Sequence, residues 1–111
     1  MEKSYRAIIE GTGEILECET FKNVYRFAMR HAKDYLDAYG VIPVVLIDFE
    51  EVWYSDYTFI NKFGYPQHDI VQRDHIAYVA ISDNGYTIDY DGMVLDVDRD
   101  GRKSVQRRME V

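Results

Sequence analysis

Thr20–Gly40, TFKNVYRFAMRHAKDYLDAYG, is the stretch on which the fold turns. Phe21, Val24, Tyr25, Ala28, Ala32, Tyr35, Leu36 and Tyr39 recur in it at i, i+3, i+4, i+7 spacing. At roughly 100° per residue they share an arc of about 120°, one apolar stripe. The spacing predicts an amphipathic helix over Thr20–Tyr39. Thr20 can cap its first turn, because a side-chain hydroxyl accepts from a backbone N–H that has no partner within the helix. Gly40 suits the left-handed position that closes a helix, and Pro43 follows just beyond.

A single stripe needs a surface to lie on, and the flanking sequence supplies a sheet. Upstream, Tyr5–Ile9 and Glu14–Cys18 read as short strands joined by Gly11-Thr12-Gly13, where glycine accepts positive φ. Apolar Ile8 between Ala7 and Ile9 leaves the inner face of the first strand open. Downstream, Val44–Phe49 is a nearly unbroken run of β-formers that suits a central strand covered on both faces, extending toward Val52, Trp53 and Tyr54. Ser55–His75 reads as irregular: a short helix capped by Ser55, a continued strand or an aromatic loop, then a connection through Pro66. The last third reads as a meander. Ile76–Ser82 is a strand, Asp83-Asn84-Gly85 and Asp91-Gly92 are hairpin signals, and Tyr86–Tyr90 and Met93–Val97 are strands. From about Arg99 the chain is basic and is expected to fray. The reading is α+β in β-β-α-β-(irregular)-β-β-β order: a mainly antiparallel sheet of about five to six strands, with the helix on one face of a single domain spanning residues 1–111.

The 111 residues fit one core, and a hydrophobic fraction of 47% argues for a folded globule. No apolar run reaches membrane-span length, Met1–Arg6 lacks the apolar core of a leader, and Cys18 is the single cysteine. These features point to the cytoplasm, with no membrane association. The net charge of −7 is uneven: residues 1–98 carry 8 Lys or Arg against 18 Asp or Glu, and residues 99–111 carry 5 against 2. An acidic body is a poor direct binder of nucleic acid, whose phosphates call for Lys and Arg, and a better partner for a basic protein surface.

Three groups of residues stand out. Asp48, Glu50, Glu51, Tyr54, Asp56, Asp89, Tyr90 and Asp91 combine carboxylates with tyrosine, which offers large, stiff area with a polar tip. They are the candidate contacts for a basic partner; the alternative is that tyrosines such as Tyr54, Tyr57, Tyr65, Tyr86 and Tyr90 simply cover the second face of the sheet. Lys22, Arg26, Arg30 and Lys33 form a basic stripe within about 80° on the outer side of the helix. With Asp34 and Asp37 late in the helix, this order runs against the helix dipole. Such a stripe could hold a nucleotide-like anion, a phosphate backbone or an acidic patch of a second copy; the alternative is ordinary Arg30–Asp34 and Lys33–Asp37 surface pairs. Asp96, Asp98 and Asp100 before Gly101 match the start of a calcium loop, but the twelfth position is Arg107 where a bidentate Glu is needed. His68 and His75 lie too far apart on a helix for one tetrahedral metal site. Cys18 and the serines sit in no nucleophile turn, and no phosphate-binding glycine loop is present.

No family is recognised in these residues, and no cofactor is implied. Small size, acidity, tyrosine content and the lack of catalytic motifs give the general look of a phage or mobile-element accessory protein. The leading expectation is a non-enzymatic acidic interaction module, in its concrete form an inhibitor occupying the basic nucleic-acid-binding surface of another protein. The alternative is a small-ligand binder for a nucleotide-like anion, with homo-oligomers open, and the weaker alternative is calcium binding.

Overall fold

The Thr20 hydroxyl accepts the Asn23 N–H at 3.2 Å, and the Thr20 carbonyl accepts the Val24 N–H at 3.2 Å. The helix α1 (Phe21–Tyr39) therefore starts on the capped turn that the sequence predicts. The computed structural model describes residues 2–39 and 44–107, so the helix stop assigned to Gly40 and Pro43 lies outside the described residues. Around α1 run β1 (Glu2–Ile9), β2 (Glu14–Cys18), β3 (Val45–Ile60), β4 (Pro66–Ser82), β5 (Gly85–Tyr90), β6 (Met93–Asp98) and β7 (Lys103–Arg107). They form one antiparallel sheet in the order β2-β1-β3-β4-β5-β6-β7. The class is α+β with an open sheet, as predicted.

Two expectations on strand content are corrected. Residues 103–107 of the tail expected to fray are a seventh strand, held by pairing from Met93↔Arg107 to Val97↔Lys103. Of Ser55–His75, read as irregular, Ser55–Ile60 continues the strand, one of the alternatives for it, and Pro66–His75 is strand where a connection was expected. β3 has 16 residues and β4 has 17, and they pair from Val45↔Ile81 out to Ile60↔Pro66.

Register sorts the side chains into two faces, because alternate residues of a strand point to opposite sides. Leu16, Ala7, Phe49, Ala77, Tyr90 and Met93 stand in one cross-strand row, and Ile9, Ile47, Val79, Ile88, Leu95 and Val105 in the next. α1 lays Val24, Ala28, Ala32 and Leu36 on this face, all buried with Ala7, Ile9, Ile47, Phe49 and Val79. Phe49 meets Phe21 edge-on at 5.5 Å between ring centroids and Tyr25 at 5.7 Å. The helix packs against β1 to β4. Beyond it, Ile88 and Leu95 are half-buried and Tyr90, Met93 and Val105 are exposed.

Among the described residues the opposite face has no covering layer. Its rows run Ile15, Ile8, Asp48, Tyr78, Asp89, Val94 and Glu17, Arg6, Glu50. β3 is thus central in the order but covered by the helix on one face, whereas its apolar run suggested cover on both. Leu46, on the open side, is half-buried while Val45 and Ile47 are buried. Both meander hairpins form where expected. At Asp91-Gly92 both residues take positive φ (50° and 74°), as a type I′ turn demands. The Asp83-Asn84 turn differs: neither residue has positive φ, and Gly85 at φ 124° takes the strain instead. A Cβ on Gly85 would lie 2.0 Å from the Val97 carbonyl oxygen, so the position admits only glycine.

Candidate interaction surfaces

The β3–β4 pair outruns the sheet. β1 pairs with β3 only as far as Tyr54, and β5 pairs with β4 only from Ala77 onward. The remainder, Ser55–Ile60 with Pro66–Asp69, is a two-stranded arm. Its tip is tied by Asn61, whose Oδ1 accepts the N–H groups of Phe63 and Tyr65 at 2.9 and 3.0 Å. Gly64 at φ 86° completes the turn. Inside the arm, His68 bonds through Nδ1 to the Ser55 carbonyl at 2.7 Å and approaches Thr58 Oγ1 through Nε2. The first ten residues of β4 are all exposed, while on β3 Ser55 and Phe59 are half-buried and Asp56, Thr58 and Ile60 are exposed. Ile60, Phe63 and Tyr65 are 65%, 72% and 68% exposed, and Ile70 and Val71, also exposed, follow on β4 opposite Trp53–Tyr54.

The acidic and tyrosine residues singled out in the sequence are divided among several places. Glu50 is buried on the open face: its Oε2 accepts from Arg73 Nε at 3.2 Å and Nη2 at 2.8 Å, and its Oε1 lies 3.7 Å from Arg6 Nη1. Beside it, the Tyr54 hydroxyl donates to Glu17 Oε1 at 2.5 Å, and Arg6 Nε stands 3.4 Å from the same oxygen. Asp48 Oδ1 holds His75 Nδ1 at 2.7 Å, and Glu10 accepts from the Tyr78 hydroxyl at 3.0 Å. Asp89 is cross-strand from Tyr78 on this face. Glu51 and Tyr90 belong to the helix side, Asp91 to the turn, and exposed Asp56 to the arm. Much of the carboxylate charge at Asp48 and Glu50 is therefore met from within the chain. Burial first and the Glu17 hydrogen bond second push the Tyr54 phenol up to about 12. Burial and then Tyr86 do the same to Tyr25. The Glu50 hydrogen bonds raise Arg73 further.

The basic stripe stays exposed, and among the described residues Lys22, Arg26, Arg30 and Lys33 make no ion pair. The Arg30–Asp34 and Lys33–Asp37 pairs do not form. Neither an acid in the first turn nor a base in the last offsets the reversed order. Arg30 and Lys33 overlook a groove of about 1000 Å³ between α1 and β5–β6, in which Arg99 and Lys103 also stand. Lys22 and Arg26 lie outside it.

The three aspartates of the calcium reading do not converge. Asp98 Oδ1 accepts the N–H groups of Asp100 at 3.0 Å and Arg102 at 2.9 Å, fastening the β6–β7 turn. Asp96 accepts from the Thr87 hydroxyl at 2.8 Å across the sheet. His31 pairs with Glu14, and no group of three metal-ligating side chains gathers among the described residues. No helix among them is long and apolar enough to cross a membrane.

The arm is the surface that sequence reasoning missed. Its signal was present: β-formers Thr58-Phe59-Ile60 and Ile70-Val71 flank an Asn61…Gly64 turn. No protein-family profile, no curated protein and no solved structure matches this chain.

Proposed function

We propose that the protein is a non-enzymatic protein-interaction module, with the β3–β4 arm as its anchor and the acidic body steering it to a basic surface of its partner. One observation carries the reading: a two-stranded ribbon holds Ile60, Phe63 and Tyr65 out in water, and exposed Ile70 and Val71 follow on β4. A lone ribbon is marginal in water, and contiguous exposed apolar area marks contact sites. Aromatic tips such as Phe63 and Tyr65 are the side chains that anchor interfaces when a partner pocket encloses them. The net charge of −7 adds long-range attraction to a basic partner, which raises the association rate more than the final affinity.

The test compares partner retention by the wild-type protein and by Phe63→Asp/Val71→Asp. Both positions are exposed, so the thermal midpoint is expected to hold while retention falls at least tenfold. Charge reversal at Glu51 and Asp56 should slow association and flatten its salt dependence. A partner held equally well by the arm variant would remove the arm from the interface and the proposal with it.

A further inference from the structure

We propose that the two free edges of the sheet dock on each other between copies of this chain, β7 of one copy against β2 of the next, with both helices on the same face. This contact is separate from the arm. β2 and β7 end the strand order, and among the described residues neither has a neighbour on its outer side. Free edges invite pairing, and charge on an edge strand ordinarily deters it. Here each edge carries a single sign. β2 holds Glu14 and Glu17 and no base, while β7 holds Lys103 and Arg107 and no acid. Each edge therefore repels its own kind and attracts the other.

The free backbone groups fit one register. The Asp98 N–H donates to the Arg102 carbonyl at 3.0 Å, and hydrogen-bonded pairs alternate along an antiparallel ladder. Ser104 and Gln106 therefore turn their N–H and C=O groups to β6, and Lys103, Val105 and Arg107 turn theirs outward. The Glu10 N–H donates to the Leu46 carbonyl at 2.9 Å, so Ala7 turns to β2 opposite Leu16, and Ile15 and Glu17 turn outward. All six pairings are antiparallel, so β2 and β7 run in the same direction. Copies set side by side join them in parallel, where one residue bonds to the two that flank the residue opposite it. With Val105 opposite Leu16 of the next copy, the Val105 N–H meets the Ile15 carbonyl and the Val105 carbonyl meets the Glu17 N–H. The same register sets Lys103 beside Glu14, on the helix side of both strands.

Three exposed apolar side chains come together at this seam. Val105, Ile15 and Phe27 are 57%, 50% and 53% exposed. His31 of α1 pairs with Glu14, which marks the flank of the helix that overlooks β2, and Phe27 lies one turn before His31 on that flank. α1 runs back along β2, and four residues of helix (~6 Å) match two of strand (~7 Å). Phe27 therefore stands level with Leu16, above the place that Val105 takes.

The contact joins unlike edges, so every assembly keeps one β2 edge and one β7 edge free for further growth. Sedimentation velocity of the wild-type chain, up to about 0.5 mM, should show a mass that rises with concentration past the dimer. Val105→Pro and Ile15→Pro each remove an outward N–H and spare the inner ladder. Each variant alone should stay monomeric, because one edge is blocked. An equimolar mixture should form a 1:1 pair and nothing larger, since the intact β2 of the first meets the intact β7 of the second. Circular dichroism checks that both variants fold. Where either does not, charge decides: Lys103→Glu should weaken assembly about fivefold, and adding Glu14→Lys should restore it. Phe63→Asp/Val71→Asp should assemble like the wild type, which separates failure here from failure of the arm reading. Five results would each overturn the proposal: monomers at every concentration, growth that stops at a dimer, folded proline variants that do not pair when mixed, no rescue by the charge swap, or assembly lost in the arm variant.

Discussion

Glu50 is the one buried charged residue among those described, and it is sustained by two arginines reaching it from different strands. A buried carboxylate without such partners would be strongly unfavourable, so the Arg6–Glu50–Arg73 set is a condition of the open face existing at all. Tyr54 extends the set through Glu17, and there the consequence is a pH dependence. The Tyr54 and Tyr25 phenols rise from 10.0 to about 12 in the folded protein. Their stabilising contribution is complete below pH 10.0, where folded and unfolded chains both keep the protons. Above it the unfolded chain ionises first, and the contribution disappears as pH climbs through about 12. Denaturation midpoints should therefore fall across that window, and Tyr54→Phe should make the fall shallower. An unchanged slope in Tyr54→Phe would show that its phenol titrates alike in both states.

At the scale of elements, the helix was legible and the arm was not, for one physical reason. Sequence periodicity reports a buried face. Val24, Ala28, Ala32 and Leu36 recur every fourth residue because each meets the sheet, and Thr20 announced their start. The β4 side of the arm buries nothing, so no alternation runs through Gln67–Gln72, and Pro66 weakened the strand reading although it sits at the first position of β4, where an absent N–H costs little. The tail misled through its charge: Lys103–Arg107 pairs because β6 offers it a backbone edge, which composition does not record. The acidic cluster was legible as residues but not as a site, since partners such as Arg73 and His75 come from a segment with no predicted structure. Because the arm contributes nothing to the core, it should be separable. Replacing residues 56–69 by a two-residue Asn-Gly turn should leave a cooperatively folded domain, its melting midpoint within about 5 °C of wild type, a shift of ~1 kcal/mol. Loss of the cooperative melt would mean that the arm supports the sheet after all.

For the whole molecule, the radius of gyration of 16.4 Å exceeds the ~13 Å of a compact chain of this length. The protein presents much surface for its mass, and that surface carries the excess of acid. Self-repulsion of a charge of −7 should make the thermal midpoint rise as salt is added to a dilute buffer up to about 0.2 M, beyond one Debye length of screening. A midpoint that falls instead would show that ion pairs such as Arg6–Glu17 outweigh the net repulsion. The strand order has its own consequence, in time. Five of the six strand pairings join neighbours in the sequence, and the pairing of β1 with β3 alone must close across the helix. Local hairpins form in microseconds, while wide loops pay closure entropy before any contact rewards it. The β3–β4 pairing can zip from the Asn61–Tyr65 turn inward, so docking of the N-terminal hairpin is the step expected to limit folding, and a refolding rate that responds to substitutions at Ile9 and Ile47 would register it.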